Sequence, residues 1–306
     1  MVGWRATLES IVLCSQDMGV VRDAVLVAAG LGTRMFPVSA FLPKETLPLV
    51  DVPWLTHLVL EAKAAGIERF HVVVSPTKSF DGMLDDQRSM HALRNHLDEQ
   101  LFNAAEGMEV FTHIQKEPKG VANAIEAALD AVDGPILVML GDNLLMDVHA
   151  PTTNYAPTSA SKNLIDAYQD SQTAMVGLME VDEADVRHYG IVKLDNDLIT
   201  DMVEKPQPGQ APSRLAMCGR YIFPSDMKER LAHLPYEEHG EMQSIALQRQ
   251  WMEEGLLHGM VLDATCWYDS GSPMKWLQAQ VDHALRRPDL QEEMAAWLTQ
   301  RLKDQR

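Results

Sequence analysis

The apolar run Val25-Leu26-Val27-Ala28-Ala29 breaks at once into Gly30-Leu31-Gly32. Five unalternated apolar residues are the length of a strand, and the lack of alternation marks one covered on both faces, as in a parallel sheet. A parallel strand cannot return through a hairpin. It needs a crossover, which commits the chain to an α/β layout with helices over a sheet. The glycines that end the run leave backbone N–H groups open to close approach by an anion. Two cations follow, Arg34 and then Lys44 between Pro43 and Pro48. Together these features imply a polyanion site, though neither the Gly-x-x-x-x-Gly-Lys-[Ser/Thr] loop nor a full Gly-x-Gly-x-x-Gly is present.

The rest of the chain repeats the strand–helix alternation. Strands are expected at residues 24–28, 70–74, 109–114, 135–140, 173–181, 189–194, 199–203, 215–223 and 257–262. Residues 54–65 put Leu55, Leu58, Val59 and Ala62 on one helical face, closed by Gly66. Residues 84–105 read as a long polar helix with His91 and His96 on its exposed surface. A helix runs from 121 to about 129, and residues 151–162, rich in Pro, Thr, Ser and Ala, read as a mobile loop. Ser225 is the expected cap of a short helix. Further helices are expected at 241–254 and from Pro273 and Pro288. No repeat or linker interrupts the pattern, which implies one domain closed by C-terminal helices, 273–306.

A formal net charge of −18 repels nucleic acid and anionic membrane, so neither is an expected partner. Cys14, Cys218 and Cys266 form no Cys-x-x-Cys pair and are odd in number, which fits a reducing cytoplasm. No apolar run is long enough to span a bilayer, and the first residues lack the basic start of a signal peptide.

The stretch Ala29-Gly30-Leu31-Gly32-Thr33-Arg34-Met35, with Pro43-Lys44-Glu45 and Leu47-Pro48-Leu49 behind it, resembles the signature of the sugar-1-phosphate nucleotidylyltransferases. The resemblance covers about 23–279, which implies a nucleotidylyltransferase domain at about 23–272 after a poorly ordered extension, 1–22, and is strongest to the UTP–glucose-1-phosphate uridylyltransferase branch. It implies a Rossmann-like mixed sheet flanked by helices, the nucleotide-diphospho-sugar transferase fold. It also implies a nucleotide-binding half at about 23–150 and a sugar-phosphate half at about 151–272. The implied reaction joins UTP and glucose 1-phosphate into UDP-glucose with Mg2+, in a cytoplasmic homo-oligomer. Arg34 and Lys44 would be the catalytic cations on the triphosphate. Ala29, Gly30, Gly32, Thr33, Glu45, Gln115 and Gly120 would bind nucleotide, the Gln115 carboxamide reading the base edge. Asn143, Gly190, Glu204, Lys205 and Arg220 would serve the sugar phosphate, Arg220 being equally readable as a surface charge. Asp142, at the end of an apolar strand, and Asp269, in Trp267-Tyr268-Asp269-Ser270-Gly271, would hold the metal.

Some residues depart from the branch pattern. Glu45 and Glu204-Lys205-Pro206 look uridylyl-like, whereas Gly141-Asp142-Asn143 and the segment around Asp269 look like thymidylyl relatives. Ser244-Ile245-Ala246 replaces a usual Leu-Thr-Asp near the sugar. Two alternatives therefore stand: the same transfer with dTTP or another sugar 1-phosphate, and an inactive nucleotide-sugar-binding regulator.

Overall fold

Strand β1 (Asp23–Val27) pairs in parallel with a strand on each side, and the molecule is layered around it. In the computed structural model, residues 19–80, 82–234, 242–263 and 265–304 are described. The remaining strands in chain order are β2 (Pro48–Leu49), β3 (Val52–Pro53), β4 (Arg69–Val74), β5 (Glu109–Ile114), β6 (Ile136–Leu140), β7 (Asn143–Met146), β8 (Ala174–Glu180), β9 (Gly190–Asp195), β10 (Leu198–Glu204), β11 (Leu215–Phe223), β12 (Leu257–Val261) and β13 (Cys266–Asp269). Nine of them form one sheet in the order β5-β4-β1-β6-β11-β8-β12-β10-β9. The β5-β4-β1-β6 end is parallel; β11 joins β6 antiparallel and opens a mixed second half. Every strand expected from the sequence is present to within one residue at each end.

Side chains alternate between two cores, as the period of a strand requires. Ala24 and Leu26 of β1 and Leu137 and Met139 of β6 pack on one face with the helices Trp54–Ala64 and Ala160–Ser171. Val25, Ile136 and Val138 pack on the other, with residues of the helices Val121–Glu126, Met227–Ala232 and Ser244–Glu253. This double burial explains why these strands read as unbroken apolar runs.

Three local expectations are corrected. Residues 84–105 are not one long helix; they form a short helix, Arg88–His91, and separate 3-10 turns at Ala92–Arg94 and Glu99–Phe102. Met90, Leu93, Leu97 and Leu101 recur at helical spacing, but Met90 and Leu93 stay exposed, so no core holds that face, and the Asp98 carboxylate takes the Gln100 N–H (3.2 Å) and, from outside the stretch, the Tyr155 N–H (3.0 Å). The loop at 151–162 is pinned down, with Thr152, Tyr155 and Thr158 buried, and its end already belongs to the helix Ala160–Ser171. The Met227–Ala232 helix begins after Asp226, and Ser225 lies outside it. Most of the 1–22 extension, and Gly240 and Glu241 at the head of the expected 241–254 helix, lie outside the described residues.

The C-terminal helices are present. Pro273–Arg286 is capped by Ser272, whose hydroxyl accepts the Lys275 N–H, and Gln291–Asp304 follows. Among the described residues no helix is long and apolar enough to cross a membrane.

Candidate active site

The parallel ends of β1 and β6 lie side by side, and the loops that leave them form the floor of a crevice, the usual ligand position in such sheets. The Gly141 N–H donates to the Val27 carbonyl at 3.0 Å, and a β-carbon there would meet that oxygen at 3.0 Å, which fixes how closely the two loops approach. A cavity of about 310 Å³ opens above them, walled by Ala29, Gly30, Lys44, Glu45, Gln115 and Gly120 among others. Gly32, at φ +65°, turns the chain into the 3-10 segment Thr33–Met35, and its carbonyl accepts the Ser39 hydroxyl at 2.7 Å. Thr33 is exposed on that turn and is not among the cavity walls.

A second cavity of about 600 Å³ adjoins the first; Val121, Leu140, Asp142 and Gln243 belong to both. At this junction the buried Lys44 ammonium donates to Asp142 Oδ2 at 2.7 Å. Burial works to raise the Asp142 carboxyl, but Lys44, with Arg34 beyond it, outweighs burial and holds it below the usual carboxylate range. Asn143 donates to Asp142 Oδ1 at 2.9 Å and accepts the Trp267 indole N–H at 2.6 Å. Asp269 reaches the same cavity because β7 and β13 pair antiparallel, with Asn143 opposite Asp269 and the Ser270 N–H on the Asp142 carbonyl at 3.0 Å. Neither short strand was expected from the sequence. Arg34 is an exposed side chain on the wall of this cavity, close enough to Gly271 that a β-carbon there would lie 2.9 Å from its guanidinium.

Glu45 is buried against Lys78, whose ammonium lies 3.0 and 3.2 Å from its two oxygens and 2.9 Å from the Ala28 carbonyl. Burial pushes the Glu45 carboxyl up and the Lys78 ammonium down. Glu45 thus faces the first cavity as the half of an ion pair that ties the signature loop to β4's end.

Gln115 is buried at the start of the loop after β5, and its amide nitrogen donates to the Gly120 carbonyl and to Asn123 Oδ1, both at 3.0 Å. Asn123 is turned that way because its own nitrogen donates to the Glu126 carboxylate at 3.0 Å. What Gln115 offers a ligand is therefore its oxygen alone, a narrower recognition than the donor-plus-acceptor edge expected from its type. Gly120, at φ +95°, opens the helix Val121–Glu126; a β-carbon there would lie 2.5 Å from the Met242 carbonyl, which accepts the Ala122 N–H at 2.9 Å.

Gly190, Glu204 and Lys205 line the larger cavity, with the Lys205 ammonium 3.2 Å from Glu204. Arg220 does not. Its guanidinium is fully buried and bidentate on Glu61, with both N–O distances 2.8 Å, and also donates to the Asn143 carbonyl at 3.1 Å. The expected phosphate ligand is a buried brace under the loop that carries Asp142 and Asn143.

Sequence reading missed Lys78 and Lys275, and it placed Tyr189 and Trp267 in motifs without giving either a role. Lys275 donates to Asp269 Oδ2 at 2.6 Å and to the Tyr189 hydroxyl at 3.0 Å. Burial works to lower it, but these two partners hold it above the ordinary lysine value. A signal was available: a lysine in the first turn of a helix opposes the helix dipole and calls for an anion nearby.

A model of the nucleotidyl transferase family matches residues 23–285. The chain belongs to that family. It is 30% identical over 290 residues to UTP–glucose-1-phosphate uridylyltransferase 2 of Staphylococcus saprophyticus, covering 91% of this chain and 97% of the relative. A UTP-bound UDP-glucose pyrophosphorylase from Acinetobacter baumannii superposes with a TM-score of 0.74 at 26% identity, covering 92% of this chain and 99% of that one. A UDP-glucose pyrophosphorylase complexed with UDP-glucose superposes at 0.73 and 29% identity, covering 86% and 98%. The chain is a nucleotidyltransferase, and the mixed sheet is the fold of these pyrophosphorylases.

Proposed function

We propose that the chain transfers a uridylyl group from UTP to glucose 1-phosphate, giving UDP-glucose and pyrophosphate. The observation that carries the reading is the junction of the two cavities at Lys44 and Asp142, with relatives named for UTP and UDP-glucose over nearly their whole length. The nucleotide lies in the smaller cavity, with its phosphates over Gly30 and its base at Gln115, whose oxygen matches the N3–H of uracil or thymine. The sugar phosphate lies in the larger cavity near Lys205, with Glu204 accepting from sugar hydroxyls. A phosphate oxygen of the sugar phosphate attacks the α-phosphorus, a new P–O bond forms, and the bond to the β-phosphate breaks as pyrophosphate leaves. The nucleophile is already an anion, so no general base is required. Two polyanions must meet, and Arg34 and Lys44 supply the charge that permits it.

Asp142 and Asp269 present hard oxygen donors on one cavity wall, a donor set that suits Mg2+. Such an ion, when bound, neutralises phosphate charge and helps orient the phosphates. The test is pyrophosphate release with Mg2+ across UTP, dTTP, CTP, ATP and GTP against several sugar 1-phosphates. A dominant signal for UTP with glucose 1-phosphate is expected. Since Ser244 and Ile245 line the larger cavity, a stronger signal with another sugar would correct the substrate, and a blank grid from folded protein would favour the regulator.

A further inference from the structure

Lys275 is out of place for a helix and in place for a ligand. It stands in the first turn of Pro273–Arg286, where the dipole disfavours a cation, yet its stem brings the ammonium to Asp269 and Tyr189 on the wall of the larger cavity. The ammonium also lies 5.0 Å from the centroid of the Tyr189 ring, a second resting place beside the carboxylate. Asp269 is otherwise held from one side only, its Oδ1 accepting the Gly271 N–H at 2.5 Å. The relation repeats at the cavity junction, where Lys44 occupies Asp142 at 2.7 Å. Each carboxylate suited to a divalent cation therefore carries a lysine in the ligand-free chain. A divalent ion arriving at Asp269 meets an ammonium at bonding distance, and like charges that close repel strongly in a partly buried site. One of them must leave, and the displaced ammonium remains tethered in the cavity with Lys205.

We propose that Lys275 is a phosphate-binding residue of the sugar-1-phosphate subsite, stored on Asp269 in the ligand-free protein and released to the phosphate when a divalent cation takes that carboxylate. This role rests on the sugar-phosphate reading of the larger cavity and adds a coupling to it. Metal binding frees a cation for the phosphate, and phosphate binding draws the lysine off the carboxylate, so each ligand tightens the other by the same factor.

The first test needs no turnover. Free Mn2+ is titrated by electron paramagnetic resonance against the ligand-free full chain, as wild type, Lys275→Met, Lys275→Arg and Lys275→Met/Asp269→Asn. Lys275→Met is expected to bind Mn2+ about tenfold tighter than wild type. Lys275→Arg should stay near wild type, and the added Asp269→Asn should cancel the gain. In steady-state assays Lys275→Met should raise KM for glucose 1-phosphate at least about tenfold and leave KM for UTP within about twofold. Equal Mn2+ affinity in wild type and Lys275→Met, at equal melting temperature, overturns the stored-lysine role. A Mn2+ gain with an unchanged KM for glucose 1-phosphate overturns the phosphate role. Should Lys275→Met fail to fold, Lys275→Gln, which can still bond to Tyr189, carries the same expectations. Because the Mn2+ titration involves no substrate, its result is separable from failure of wild type to release pyrophosphate, which would count against the transfer reaction instead.

Discussion

Replacing Arg220 by Met separates a brace from a substrate ligand. Arg220 and Glu61 are both essentially inaccessible, and two 2.8 Å bonds join them. The variant leaves the Glu61 carboxylate buried, with the Ser161 hydroxyl (2.5 Å) as its remaining hydrogen-bond donor. Breaking one side of a buried pair costs about 3–5 kcal/mol, because the partner's charge loses its compensation without regaining water. A domain of this kind has about 5–15 kcal/mol in total, so the loss is a large fraction of it. With a urea m-value of about 3 kcal/mol/M, the unfolding midpoint should fall by roughly 1–2 M. The double variant Glu61→Leu/Arg220→Met removes both charges and should recover most of the loss. Turnover should fall in the single variant as well, since Arg220 also holds the Asn143 carbonyl. The reasoning is refuted if Arg220→Met keeps its midpoint within about 0.3 M while KM for the sugar phosphate rises tenfold, the behaviour of an exposed phosphate ligand.

Three further outcomes follow from particular contacts. Lys44→Ala should lower turnover by about 10²–10³-fold in a folded protein, and near-normal turnover would remove Lys44 from the reaction. Buried His57 and His283 are pushed down to about 3 and about 4, by burial first and then by neighbouring histidine and Arg287 charge. Unfolded rings protonate near pH ~6.5, so the unfolded chain binds more protons between that pH and the folded values, and stability is lost as the pH is lowered through that window. At pH ~5 each ring should contribute about 2 kcal/mol of loss, and denaturation midpoints flat from pH ~7 to ~5 would contradict it. Gly120→Ala drives a β-carbon to 2.5 Å from the Met242 carbonyl at a φ of +95°. It should cost about 2–3 kcal/mol and weaken nucleotide binding, and an unchanged melting temperature would show that this loop yields freely.

What the sequence determined by itself is local or periodic. Unbroken apolar runs identify β1 and β6 because both faces of those strands are covered, and Gly30, Gly32, Lys44 and Asp142 are legible because strand ends and glycine turns are short-range features. A periodic face that finds no core was misread: 84–105 carries Met90, Leu93, Leu97 and Leu101 at helical spacing, but Met90 and Leu93 stay exposed and Asp98 takes the Gln100 N–H into a separate turn. Partnership is what the tertiary structure alone decided. Nothing along the chain says that Arg220 meets Glu61, 159 positions away, and not a phosphate. Nor does it say that β7 finds β13 and so sets Asp142 beside Asp269, or that Lys275 and Tyr189 close on one carboxylate. A charged residue looks the same in sequence whether it is solvated, paired or aimed at a ligand. Its role is set by burial and by which opposite charge the fold brings within about 3 Å of it, where desolvation makes the pairing decisive.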